Sequence, residues 1–132
     1  MSKAYLFIVN STVILSFPNG CQIAARALTS DRDKELGYQH QEQPPKQGTG
    51  LLFVFWNPGI HRFHMNNVLF PLTLVSFDKN MKCLGHINMS HADRDFEKTW
   101  STPHGTVYAL EMSPSDFERC KVKSGDVVQL RH

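Results

Sequence analysis

The sequence predicts one mainly β domain (α+β), an antiparallel sandwich or partly closed barrel with one or two short helices attached. Three observations predict it. Runs rich in aromatic and β-branched residues recur along the chain, with turn signals every ~8–12 residues. Helical patterns are confined to two short, well-capped stretches. The 132 residues, 41% hydrophobic and 20% charged, suit a single domain over 1–132 with its own core. No internal repeat, low-complexity tract or linker divides them.

Tyr5 to Val9 and Thr12 to Phe17 are strand-forming by composition. Pro18-Asn19-Gly20 supplies a turn, because Pro sets φ at one corner and Gly takes the left-handed position. Cys21 to Ala27 returns antiparallel, with Ile23 and Ala25 on one face. Thr29 or Ser30 opens a short helix: Ser30 lies three residues before Asp33, and Asp31 and Asp33 suit the positive end of the helix dipole. Gly37 closes it after Leu36. Tyr38 to Thr49 is a polar surface loop containing Pro44-Pro45, a candidate lid.

The strongest apolar signal follows, in two strands joined through a tight turn. Leu51 to Trp56 lacks polar alternation and reads as a strand covered on both faces. Asn57-Pro58-Gly59-Ile60 has the order of a type II turn. Arg62 to Asn66 alternates, with Phe63 and Met65 on one face and His64 and Asn66 on the other. Val68 to Phe77 is a strand ended at Asp78-Lys79-Asn80, and Lys82 to Asn88 and Thr106 to Met112 are two more. Ser113-Pro114-Ser115-Asp116 starts a second helix, with Phe117 able to face the core. Lys123 to Asp126 turns into a last strand, Val127 to Leu130.

The formal charge of +2 comes from scattered basic residues, which excludes the clustered stripe of a nucleic-acid binder. Cys21, Cys83 and Cys120 are odd in number and form no Cys-x-x-Cys pair. Reduced, buried thiols in a reducing compartment are expected, with one disulfide left open. Ala4 to Phe17 imitates a signal peptide after Lys3, but Asn10-Ser11-Thr12 interrupts it and no small-residue cleavage site follows. It is too short and interrupted to span a membrane. A soluble cytoplasmic chain is expected, or a virion component if phage-encoded.

The order of short motifs from about residue 12 to about residue 130 resembles the prokaryotic family known as domain of unknown function 192. The pieces are Thr29 to Gly37, Gly50-Leu51-Leu52-Phe53-Val54-Phe55, Phe63-His64-Met65-Asn66-Asn67, Pro71-Leu72-Thr73, Phe77-Asp78, Tyr108-Ala109-Leu110-Glu111 and Ser124-Gly125-Asp126. The resemblance implies a compact β-rich fold and no assigned activity. The chain departs from the pattern at Tyr38-Gln39 after the helix-ending Gly, at Gln41 in place of an Arg, at His64 and Asn66 around Met65, and at Thr73 in place of an Asp. Loss of the Arg and the Asp together fits the loss of an ion pair, since losing one partner strands a charge. Many members resemble exported proteins, unlike this chain.

The candidate ligand-binding residues are His64, Asn66, His86 and His91. His61 and His64 diverge if their segment is a strand, whereas His86 and His91 with Asp93 and Asp95 form a local cluster. Metal sites need three or four converging ligands, so the expectation is surface or capping histidines, no metal and no cofactor. The cysteines sit among apolar neighbours, and no Gly-x-Ser-x-Gly or phosphate-cradling glycine loop occurs, so no catalytic residue is assigned. Phe53, Phe55, Trp56, Phe63, Phe70 and Phe77 read as core, while Trp56 and Trp100, with Gln41, border loops and are candidate contact residues. The sequence favours a non-enzymatic binding or assembly subunit with protein partners or self-association. The alternative is a small-ligand or metal-binding protein with weak hydrolase-type chemistry.

Overall fold

In the computed structural model, which describes residues 11–90 and 98–132, β1 (Thr12–Ser16) and β2 (Gln22–Leu28) form the first hairpin across Pro18-Asn19-Gly20. Val13 faces Ala25 and Leu15 faces Ile23, and all four are fully buried. Helix α1 (Asp31–Leu36) begins as predicted. The Ser30 hydroxyl accepts the Asp33 amide at 3.1 Å, and Gly37 ends the helix at φ 47°. The expected strand Tyr5–Val9 lies outside the described residues, as do His91, Asp93, Asp95 and Glu97.

Strand β3 (Thr49–Gly59) runs parallel to β2, so the sheet is mixed rather than wholly antiparallel. The reason is the connection: α1 and its following loop carry the chain back to the same end of the sheet, as a parallel pair requires. β4 (Arg62–Phe63), β5 (Leu72–Phe77), β6 (Cys83–Met89), β7 (Trp100–Ser101), β8 (Thr106–Met112), α2 (Pro114–Cys120) and β9 (Gln129–Arg131) complete the described order. The main sheet runs β6-β5-β8-β3-β2-β1-β9, and β4 pairs with β7 in a small second sheet. A bridge between Lys82 and Val127 ties the chain before β6 to the chain before β9, but the sheet is not closed into a barrel. The β-rich class with two short helices is as predicted.

Several boundaries differ from the sequence reading. Asn57-Pro58-Gly59 continues β3 instead of turning, and the register with β8 slips between Val54 and Gly59. A slipped register suits Pro58, which has no amide to donate to a ladder. Arg62 to Asn66 keeps its predicted alternation in burial, with Phe63 and Met65 buried, but only Arg62 and Phe63 are paired. The chain then turns at Asn67, whose φ is 60°. β5 starts at Leu72 rather than Val68, and β9 at Gln129 rather than Val127. The two apolar ribbons, β3 and β5, do not meet: β8 lies between them and pairs with both.

The sheet is covered on both faces. One apolar cluster contains Ile23, Leu52, Val54, Val75, Phe77, Tyr108, Leu110 and Met112. The opposite cluster contains Leu28, Leu51, Phe53, Phe63, Leu72, Leu74, Met89 and Ala109. The period of two along β8 therefore turns Glu111 into the second cluster beside Ala109. Phe53, Phe63, Phe70 and Phe77 are core as expected, but Trp56 is 49% exposed and Phe55 is only partly buried.

The expectation of three reduced thiols is corrected. Cys21 and Cys120 form a disulfide across a sequence separation of 99, and Cys83 alone is free and buried. The turn after β1 and the end of α2 arrive at one place, where the Asn19 side-chain amide also donates to the Arg119 carbonyl at 3.0 Å. At the start of α2, the buried Asp116 carboxylate accepts the Gly48 amide at 2.7 Å and the Arg119 guanidinium at 3.1 Å. That contact anchors the entry to β3.

Candidate functional site

A cleft of about 310 Å³ opens between α1 and the sheet. Its floor is Glu111, placed by register directly opposite Leu51 on β3 and Leu74 on β5. The side chain is 4% exposed and has no hydrogen-bond or ion-pair partner among the described residues. Burial in these apolar surroundings pushes its pKa from 4.5 up to about 8, because the charged form loses its hydration. Gly37 covers this floor from the end of α1. A Cβ built there would lie 3.7 Å from Glu111 Oε1 and 3.6 Å from Phe53 Cζ.

The walls are aromatic. Phe53 and Phe63 pack edge to face with centroids 4.9 Å apart, and Phe55 meets Phe63 in the same way at 6.1 Å. Phe55 also stacks on the His61 ring at 3.7 Å. Burial holds the His61 pKa below the usual histidine value, with the Thr106 carbonyl hydrogen bond opposing the shift. Tyr38 closes the inner end, edge-on to Phe70 at 6.0 Å. Burial raises its phenol pKa, and the nearby Glu111 adds to the rise.

The cationic groups of the cleft differ in availability. The Lys34 ammonium donates to the Val54 carbonyl at 3.0 Å, lies 4.8 Å from the centre of the Phe55 ring and 3.9 Å from Asp31. Burial lowers its pKa, and Asp31 opposes that. The Asn66 amide donates to His64 Nδ1 at 3.1 Å, so the ring proton sits on Nε2 and donates to Glu35 at 2.8 Å. Arg62 stands exposed at the rim. The loop after α1 is buckled to the turn after His64 by His40 N to Asn67 O at 3.0 Å and Asn67 Nδ2 to Gln39 Oε1 at 3.1 Å.

Of the predicted site residues, His64 and Asn66 stand at this cleft, His64 lining it and Asn66 orienting His64 through its amide. His86 does not join them. It is paired with Val75, so it belongs to the opposite face, where its ring lies 4.4 Å from Phe117. His91 lies outside the described residues. Among the described residues no three His, Cys, Asp or Glu side chains converge as metal ligands. Gln41 is exposed on the loop after α1, Trp100 sits on β7 against the second apolar cluster, and Trp56 is exposed toward the end of β3. Thr73, which stands where the family pattern has an Asp, is fully buried and donates to Asn88 Oδ1 at 3.1 Å on the face away from the cleft. Sequence reasoning missed Glu111 as a functional candidate. The signal was there: a lone acid at an inward position of the otherwise apolar strand Thr106 to Met112.

The helix ended by Gly37, the Gly50-to-Phe55 strand and the Tyr108-to-Glu111 strand, which build this cleft, are also the pieces that a family model matches over residues 15–130, that of DUF192, described as an uncharacterized ACR. The chain belongs to the DUF192 family. A solved structure from Sinorhizobium meliloti 1021, described as a candidate transcription regulator, is 17% identical with a TM-score of 0.78, covering 93% of this chain and 96% of that one. A protein of unknown function from Novosphingobium aromaticivorans DSM 12444 is 16% identical with a TM-score of 0.73, covering 89% of this chain and 83% of that one. Such likenesses show the fold and carry no activity with them. No curated protein matches the chain. Among the described residues no helix is long and apolar enough to cross a membrane.

Proposed function

We propose that this DUF192 chain is a non-enzymatic small-ligand-binding domain whose site is the cleft beneath α1. The observation that carries the reading is the buried Glu111 carboxyl at the base of an aromatic-walled cleft, with no protein partner among the described residues. A volume of about 310 Å³ falls at the small end of ligand sites, and the lining combines aromatic walls with charged and polar side chains able to fix a ligand's orientation. Catalysis has weaker support. Among the described residues no serine, threonine or cysteine lines the cleft, and burial keeps the Tyr38 hydroxyl protonated, so the His64–Glu35 pair has no ready nucleophile there. The scattered basic residues speak against extending the transcription-regulator description of the Sinorhizobium relative to this chain. The Cys21–Cys120 bond favours an oxidising compartment over the cytoplasm, and neither the site nor the relatives support a phage component.

Protein-observed NMR with a panel of small aromatic and aliphatic fragments tests this. Binders should shift the resonances of Tyr38, Phe53, Phe63 and Glu111 together. Hits scattered over the surface, or none across the panel, refute it. A second role as a contact subunit is favoured by one feature, the exposed apolar pair Trp56 and Ile60 beside the slipped end of β3. Solution mass should then fall to that of a monomer in a Trp56→Ser variant. A wild-type chain already monomeric and without partners removes that role.

A further inference from the structure

Resting on the ligand-binding reading of the cleft, we propose that its ligand carries one cationic head, a primary amine or an amidinium, seated on the Glu111 carboxyl with an apolar body against Phe53 and Phe63. Two of the charges around the cleft already have protein partners. Lys34 is held by the Val54 carbonyl, the Phe55 ring and Asp31. Glu35 receives the His64 proton at 2.8 Å. The acid at the floor, flanked by Leu51 and Leu74 and lining the cleft with Phe53, is the group left without a partner among the described residues.

An anionic ligand would have to sit over this carboxyl, with its charge opposed from below and, in its favour, the exposed Arg62 and a Lys34 already bonded to the Val54 carbonyl. A neutral ligand would gain at most an ordinary hydrogen bond. A cation gains a charge-assisted hydrogen bond in a water-poor setting, together with aromatic faces that attract positive charge. Asp31 and Glu35, facing the cleft from α1, add to the negative field at the entrance. Arg62 from β4, Lys34 from α1 and the exposed Arg26, which shares this sheet face from β2 beyond Leu51, oppose it, and Tyr38 stays protonated because burial raises its pKa.

The seat is coupled to a proton. Glu111 in the empty cleft titrates near pH 8, so at lower pH the arriving cation must displace a proton from the carboxyl into solvent. One N–H···O bond forms, one carboxyl O–H bond breaks, and the proton leaves to buffer. Affinity should therefore fall about tenfold for each pH unit below about 8, while the amine itself stays protonated.

The test is calorimetric titration of the full chain, disulfide intact, with benzylamine, benzyl alcohol and benzoate at about pH 8.5. Benzylamine should bind on the order of tenfold to a hundredfold more tightly than benzyl alcohol, and benzoate most weakly. In Glu111→Gln that preference should vanish while the variant still melts cooperatively. If Glu111→Gln does not fold, the wild-type affinity for benzylamine between about pH 6 and pH 8 decides instead, and a flat profile overturns the proposal. Equal binding of benzylamine and benzyl alcohol, or a preference for benzoate, overturns the cationic class but leaves the cleft a ligand site. Failure of all three probes, where other fragments do shift Tyr38 and Phe53, again overturns only the class. Failure of every fragment removes the ligand-binding reading and this inference with it.

Discussion

Replacing Glu111 by Gln isolates one term in the stability of the fold. Glutamine keeps nearly the same shape between Leu51 and Leu74 but cannot ionise. In the unfolded chain the glutamate titrates at its ordinary 4.5, and in the folded protein at about 8. The folded state therefore holds this proton more tightly than the unfolded state. Its contribution to stability is complete below the unfolded value, declines as pH rises, and is gone once pH passes the folded value. The gap between 4.5 and 8, at about 1.4 kcal/mol per pH unit, corresponds to about 5 kcal/mol. About 3 kcal/mol of that is already lost by neutral pH.

Urea unfolding followed by the fluorescence of Trp56 and Trp100 measures this directly. Wild type and Glu111→Gln should be close in stability near pH 4.5 and diverge steadily, with the Gln variant more stable by about 3–5 kcal/mol at about pH 8.5. Other titrating groups act on both proteins alike, so the difference reports on residue 111. A difference that stays constant with pH within about 0.5 kcal/mol would mean that the carboxyl is solvated or paired, and the reasoning from its burial would be wrong.

Three further outcomes are expected. Replacing Cys21 and Cys120 by Ala should cost up to about 4–5 kcal/mol on the chain-entropy account of a loop of about 100 residues, read as a fall in the urea midpoint; an unchanged midpoint refutes it. Gly50→Ala should destabilise by about 1–3 kcal/mol or prevent folding, because the new Cβ would stand 2.6 Å from the Glu111 backbone carbonyl, which cannot swing aside; a wild-type melting temperature counts against the close approach. Asp116→Ala should cost about 1–3 kcal/mol, since it leaves the part-buried Gly48 amide without its acceptor while the exposed Arg119 guanidinium turns to water; hydrogen exchange of the Gly48 amide should rise with it, and unaltered exchange contradicts the anchoring role.

Much of the fold was legible because local chemistry and tertiary packing agree. Ser30 and Ser113 cap the helices that their spacing announced, and Thr106 to Met112 is a strand from end to end. Readings failed where long-range partners decide. The parallel pairing of β2 with β3 depends on where α1 deposits the chain, which no local pattern encodes. Pro58 suggested a turn because its own φ is fixed, yet the slipped register with β8 lets β3 run on to Gly59. Cys21 and Cys120 looked unrelated because 99 positions separate them. The candidate site was half legible for the same reason. His64 and Asn66 could be placed on one side of their segment, but only the sheet register shows that His86 faces away and that Glu111 lies under Gly37.

Glu111 also bears on why the cleft exists at all. A leucine at position 111 would extend the apolar row between Leu51 and Leu74 and remove the cost of burying an acid, so packing alone would disfavour glutamate there. Gly37 works in the same direction. A side chain at its Cβ position would reach contact distance of both Glu111 Oε1 and Phe53, filling the space above the carboxyl. The residue that ends α1 at positive φ thus also keeps the acid open to the cleft. Two positions, each explicable locally, converge on one result: a carboxyl kept dry, reachable and without a partner among the described residues. Stability does not account for that combination, whereas the proposed ligand would by supplying the partner, and the pH dependence of stability and the affinity of the cleft for amines would then share one contribution, the free energy of ionising Glu111.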